Sequence, residues 1–298
     1  MIINGVTIDE TFAEAFPMKA TRVIITAHTD QWAWNSARSM TGFATSVIGC
    51  GVEADIERKL DPSETPDGRP GYSAMLFAMG SKTLMKQLET RAGQTVLTSP
   101  GSALFAGIDD GDQIPLGKNL RYFGDGFQTS KLIDNKRYWR IPVMDGEFLV
   151  EETTGKVNAI GGGNLLVMAE TLDAALMASE EAVDAMRAVP NIILPFPGGV
   201  VRSGSKVGSK YAALHASTND AFCPTLKGIT NSQLSAEIES VLEIVIDGLT
   251  EEDISKAMRV GIETFCSIGA YNGIKRISAG NYGGKLGPHH FHLREIMK

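Results

Sequence analysis

The sequence predicts an α+β protein built from duplicated ferredoxin-like lobes, and three observations carry that expectation. Strand-like and helix-like stretches run in the order β-α-β-β-α-β. The same order then appears a second time. A turn-rich stretch around Pro142 and Gly146 separates the two runs, so the lobes are expected at 1–147 and 148–298.

In the first run, Thr21–Ala27 (T-R-V-I-I-T-A) reads as a strand. Asp30–Met40 follows with helical spacing at Ala33, Ala37 and Met40, and Gly42 stops it. Thr45–Cys50 reads as the returning strand. Asp61–Gly71 is turn chemistry throughout and must lie on the surface. Tyr72–Met79 is a strand, Ser81–Ala92 a helix ended by Gly93, and Gln94–Ser99 a strand. A hairpin is expected around Arg137–Val143.

In the second run, Asn164–Ala169 is a strand and Thr171–Met186 a helix, with Leu172, Leu176, Ser179, Val183 and Met186 on its apolar face. Asn191–Leu194 is a short strand, and Arg202–Glu237 is a loop-rich insertion. Val241–Thr250 runs as a strand into the helix Thr250–Phe265, whose stripe is Ile254, Met258, Ile262 and Phe265. Thr250 with Asp253 caps that helix. Ile274–Ala279 closes the unit.

Composition narrows the function. The 298 residues are 43% hydrophobic and 21% charged, as in a globular protein, and the net charge of −7 disfavours nucleic acid as a partner. The three cysteines, Cys50, Cys223 and Cys266, are too few and too scattered for a disulfide framework. Met1–Gly5 lacks the basic start and apolar core of a secretion signal. The longest uncharged apolar run, Ala188–Val201, is interrupted by three prolines, so a cytoplasmic protein without a membrane span is expected.

One residue is out of place. Val241–Thr250 (V-L-E-I-V-I-D-G-L-T) is apolar on both faces, as in a strand covered on two sides, yet it carries Glu243. Aligning the halves by Gly80 and Gly248 sets Glu243 opposite Met75. A carboxyl group buried between valines resists ionisation, and in its neutral form it can donate a hydrogen bond to a carbonyl oxygen that is gaining charge. Two other readings stay open: a rim glutamate that reaches water, or one paired with a buried arginine.

Other motifs are weaker. Gly161–Asn164 and Gly199–Lys206 lack the spacing of nucleotide-binding loops, and their plain reading is as turns. Ser205, Lys206, Ser209 and Lys210 (S-K-V-G-S-K) form a cationic, hydroxyl-rich loop suited to a carboxylate or phosphate tail, or simply to solvent. His289, His290 and His292 lack the cysteine or acidic company of a metal site, and none is assigned. His215, Asp220 and Cys223 stand too close along the chain for a nucleophilic triad.

Longer motifs carry a resemblance. N-G-V-T-I-D-E-T-F-A-E-A-F (Asn4–Phe16), T-G-F-A-T-S-V-I (Thr41–Ile48), E-T-P-D-G-R-P-G (Glu64–Gly71), F-G-D-G-F (Phe123–Phe127) and I-P-V-M-D-G-E-F (Ile141–Phe148) are joined by P-F-P-G-G-V-V (Pro195–Val201), S-K-V-G-S-K (Ser205–Lys210), A-S-T-N-D-A-F-C-P-T (Ala216–Thr225), E-I-V-I-D-G-L (Glu243–Leu249) and I-S-A-G-N-Y-G-G-K-L-G (Ile277–Gly287). Together they resemble the formylmethanofuran–tetrahydromethanopterin formyltransferases nearly end to end. Arg276 departs from the Lys expected before the last motif.

The resemblance implies formyl transfer between the amine of methanofuran and N5 of tetrahydromethanopterin, these two being co-substrates, with no bound cofactor and no metal. It implies a homotetramer built as a dimer of dimers, and in bacterial relatives an association with hydrolase subunits. It places the catalytic glutamate on Glu243. From motif and chemistry, Lys206, Lys210, Asn281 and Lys285, with Ser205 and Ser209, are expected to bind substrate, Lys206 and Lys210 through the carboxylates of a glutamyl tail. A non-catalytic structural subunit and a transferase using a folate-type carrier are the rival readings.

Overall fold

The computed structural model describes residues 1–298 as a mixed α+β chain that divides into two compact units. One holds Met18–Ala159, the other Met1–Pro17 with Ile160–Lys298. The division is therefore discontinuous along the chain. The reason lies in two long strands, β1 (Phe12–Thr26) and β5 (Thr153–Ala169), each of which contributes residues to both units.

In the Met18–Ala159 unit, β1 is followed by α1 (Asp30–Thr41), β2 (Glu53–Leu60), β3 (Gly71–Ala78), α2 (Ser81–Arg91) and β4 (Ala103–Ala106). The pairing order is β2-β3-β1-β4, antiparallel throughout. Gly146–Glu151, Lys136–Val143 and Thr129–Ile133 extend it beyond β4. Val23, Ile25, Ala37, Met40, Leu84 and Leu88 meet in its core.

Two expected strands are absent there. Val47–Cys50 is a helical turn, because Ser46 Oγ accepts from Ile48 N and Gly51 closes it at φ +76°. The strand comes later, as the charged E-A-D-I-E-R-K-L of β2. Ala92–Val96 continues α2 as a π turn rather than starting a strand, and β4 begins only after Pro100 and Gly101.

The other unit repeats the order: β5, α3 (Leu172–Met186), β6 (Ile192–Ile193), β7 (Ser240–Gly248), α4 (Glu251–Ile268) and β8 (Ile274–Ser278). Its pairing order is β6-β7-β5-β8, again antiparallel. Thr171 and Thr250 cap the two helices through their hydroxyls, and the stripe of α4 is buried as expected. On α3 the stripe is shifted. Leu172 and Leu176 are exposed, and Ala175, Ala178, Ser179 and Ala182 face inward with Val183 and Met186. Small residues let α3 approach α4 closely: a Cβ on Gly261 of α4 would meet Met186 Sδ at 2.8 Å.

Strand β7 is covered differently from expectation. Leu242, Ile244 and Ile246 are buried in the core with the helices, whereas Val241, Glu243 and Val245 are only half-buried on the opposite face. That face is where the cavity lies.

Candidate active site

The antiparallel register sets the site. Leu166 of β5 lies opposite both Glu243 of β7 and Ser278 of β8, so the three share one face. Two residues along, on the same face, Asn164 lies opposite Val245. The main chain of Glu243 is also held from its other edge: its N–H donates to Val201 O at 2.9 Å, and Val201 N donates to its carbonyl at 2.7 Å. The P-F-P-G-G-V-V turn thus fixes the backbone that presents the carboxyl.

The Glu243 side chain stands at the wall of a cavity of about 580 Å³. A Cβ on Gly204 would lie 3.5 Å from its Oε2, so a bare stretch of backbone flanks it. No cation or hydrogen-bond donor compensates the group. Burial alone pushes its pKa up to about 7. The paired-arginine reading therefore fails, and the residue stands half-buried on the open face of the sheet rather than sealed inside it.

Of the expected substrate residues, Ser205, Lys206 and Asn281 line this cavity, while Ser209, Lys210 and Lys285 do not. Lys206 is an ion-pair partner of Asp220, whose acidity that hydrogen bond increases. Its charge is thus already matched inside the protein. Ser209 Oγ accepts from Tyr211 N at 3.0 Å, bracing its own turn. Asn281 does likewise: Nδ2 donates to Thr11 Oγ1 and Phe12 O, and Oδ1 accepts from Gly283 N. Lys285 is exposed on the same loop.

Three residues of the wall and one behind it escape the sequence reading. Asn164, buried on β5, holds both backbone groups of one residue, accepting from Gly280 N at 2.6 Å and donating to Gly280 O at 3.2 Å. Arg276 forks onto Asp9 through Nε and Nη2 and donates to Gln233 O at 2.7 Å. Lysine lacks that planar fork. Tyr282 carries a phenol held above its usual range by burial and by the charges of Glu243 and Glu14. Glu14 itself lies behind the loop. Only the asparagine in G-G-G-N and the unexpected arginine at 276 gave any hint in sequence.

The histidines do not form a metal centre. His289 Nδ1 meets Glu251 Oε1 at 2.6 Å, and the rings of His290 and His292 pack on Phe12. No group of three or more His, Cys, Asp or Glu side chains is placed to hold a metal ion. No helix is long and apolar enough to cross a membrane.

Structure also corrects the sister position of Glu243. Glu243 stands eight residues before the start of α4 and opposite Leu166, itself six before the start of α3. In the other unit, the residue eight before α2 is Ser73, opposite Ile24, which is six before α1. The counterpart is thus Ser73, not Met75. Gly80 and Gly248 are not equivalent: Gly248 ends a strand, whereas Gly80 caps a helix. Ser73 Oγ donates to Glu57 Oε2 at 2.7 Å, and Arg22 neutralises that carboxylate at 2.6 Å.

A carboxyl group whose pKa is raised to about 7, at the wall of a polar cavity, is chemically suited to acyl-group transfer, in which negative charge builds on a carbonyl oxygen. Two family profiles match the chain, one described as formylmethanofuran-tetrahydromethanopterin formyltransferase over residues 1–143 and one as the proximal lobe of the same family over 146–296. The chain belongs to the formylmethanofuran–tetrahydromethanopterin formyltransferases and is an enzyme of that kind. It is 75% identical to the formylmethanofuran–tetrahydromethanopterin formyltransferase of Methylococcus capsulatus across the whole of both chains. Among solved structures, it is similar to a chain of the formyltransferase/hydrolase complex of Methylorubrum extorquens with methylofuran, at TM-score 0.98 and 51% identity, covering 100% of this chain and 99% of that one. The Methanosarcina barkeri formylmethanofuran:tetrahydromethanopterin formyltransferase matches at 0.94 and 46%, covering 99% and 100%.

Proposed function

We propose that Glu243, as a neutral acid, stabilises the oxyanion formed when N5 of tetrahydromethanopterin attacks the formyl carbon of formylmethanofuran in a ternary complex. The N5 lone pair forms the new C–N bond while the carbonyl electrons move to oxygen. Collapse of the adduct breaks the bond to the methanofuran nitrogen, and the proton lost by N5 ends on that leaving amine. Holding both carriers together supplies about 7–11 kcal/mol of the barrier reduction, and a donor aimed at the oxyanion adds about 3–4 kcal/mol. The observation that carries this reading is the uncompensated Glu243 carboxyl at the cavity wall, with a pKa of about 7.

The surrounding assignments rest on the same reading. Ser205, Lys206 and Asn281 line the cavity, and Ser209, Lys210 and Lys285 would meet only a substrate tail that leaves it. The strand orders of the two units, each with its fourth strand beside its first, support duplicated ferredoxin-like lobes. A homotetramer, with hydrolase subunits as further partners, is the assembly we assign. The similarity to a chain of the Methylorubrum formyltransferase/hydrolase complex supports the hydrolase partners.

The test is a side-by-side assay of the wild type and Glu243→Gln with tetrahydromethanopterin and tetrahydrofolate as acceptors. The expected result is turnover with the methanopterin carrier only, and a fall in kcat of about 10²–10³ in the variant with KM little changed. Unchanged kcat in the variant would remove Glu243 from the mechanism. Turnover with neither carrier would favour a structural subunit.

A further inference from the structure

Between β8 and the short strand His289–His292, the S-A-G-N-Y-G-G-K-L-G loop forms one wall of the Glu243 cavity through Asn281 and Tyr282. The loop has no regular structure of its own, and Gly283, Lys285 and Leu286 are exposed. Its shape must come from elsewhere. Gly280 is held by Asn164 and by Glu14 N, and the Asn281 amide is tied to Thr11 and Phe12.

The remaining anchor is the Glu14 carboxylate, which is 1% exposed. Its Oε2 accepts from Tyr282 N at 2.6 Å and Gly284 N at 2.8 Å, and its Oε1 from Leu286 N at 2.6 Å and Gly287 N at 2.7 Å. Four backbone donors from a six-residue stretch thus converge on one side chain. Burial by itself would raise the pKa of this group, but the four charge-assisted bonds outweigh it and hold the carboxyl down at about 2. Glycine completes the fit: Gly283 and Gly284 sit at φ +76° and +70°, and a Cβ on Gly287 would meet Ala15 O at 2.3 Å.

Building on the formyl-transfer reading, we propose that Glu14 is a positioning residue. Its carboxylate is the internal anion around which the loop folds, and it thereby sets where the Asn281–Tyr282 wall meets a bound carrier. Glu14 touches neither the cavity nor the reacting atoms. A burial-only role would let any well-packed polar residue serve. A positioning role requires both oxygens as acceptors, since each one serves two N–H groups.

Glu14→Gln separates these roles, because in either amide orientation its NH2 faces two donors. The purified variant and wild type are compared by steady-state kinetics with both carriers varied, and by amide hydrogen exchange. The expected result is faster exchange at Tyr282, Gly284, Leu286 and Gly287, with Ile244 and Ile246 of β7 unchanged. KM for one carrier should rise by about fivefold or more, with kcat within about twofold. A proportional loss of kcat at unchanged KM, as partial unfolding would give, overturns the proposal. So do unaltered kinetics with a loosened loop, or an unloosened loop. If Glu14→Gln does not fold, Gly283→Ala strains the same wall without a steric clash and should reproduce the KM change; an unchanged KM there overturns the proposal. Wild-type turnover in the same assay checks formyl transfer on its own. Turnover with a silent Glu14 removes only the positioning role, and no wild-type turnover removes both.

Discussion

A carboxyl with a pKa near 7 changes its charge across the neutral range, so under the proposed mechanism Glu243 makes turnover depend on pH. The form that donates to the oxyanion in that mechanism is the protonated one. kcat should fall tenfold per pH unit well above 7 and level off below it, and Glu243→Gln should abolish that dependence. Its folded pKa is raised, so its favourable contribution to stability is complete below the ordinary carboxylate range and is lost as pH rises through about 7. Glu14 has the opposite sign. Its depressed pKa gives stability that is present above the ordinary carboxylate range and lost as pH falls through about 2. Melting of Glu14→Gln should therefore lie on the order of 5 °C below wild type at pH 7, with the two curves converging in strong acid. Glu243 was legible in sequence because a lone acid interrupts an apolar strand. Glu14 was not, because its partners are backbone groups some 270 residues away, and backbone donors leave no mark on residue type.

At the scale of the element, helix α4 shows how packing overrides propensity. Gly261 sits mid-helix, where alanine would ordinarily stabilise. Here a Cβ would press on Met186 Sδ at 2.8 Å and Leu165 Cδ1 at 2.9 Å, so Gly261→Ala should cost about 1–3 kcal/mol in chemical denaturation. Thr250→Ala should cost about 1 kcal/mol, since its hydroxyl accepts from Asp253 N at 3.1 Å. The cap and stripe of α4 were readable because both are local patterns. The misread segments, Thr45–Cys50 and Gln94–Ser99, are short stretches around one apolar pair each, too short for periodicity to separate strand from turn. There a serine cap and a π turn decide.

For the molecule as a whole, the repeated β-α-β-β-α-β order was legible in sequence. Continuous strands such as β1 and β5 carry no compositional break where one compact unit gives way to the other, so residue type does not mark that division. The homotetramer assigned above predicts a light-scattering mass four times that of the chain when it is purified alone. A stable monomer with full turnover would refute that assembly.

The exchange of roles between Glu243 and Ser73 also bears on how the two units tolerate mutation. All eight residues of β3 are buried, and the nearby Glu57 carboxylate is neutralised by Arg22, so that strand has nothing to do but hold together. Strand β7 buries one face and leaves the other half open around an acid with no counter-ion. A saturation scan scored separately for abundance and for turnover should thus give two different maps. Along β3 the two scores should fall together. At Glu243 they should part, with polar replacements keeping abundance and losing turnover. One unit would then be constrained at this strand by stability alone, and the other would carry a residue that stability does not favour.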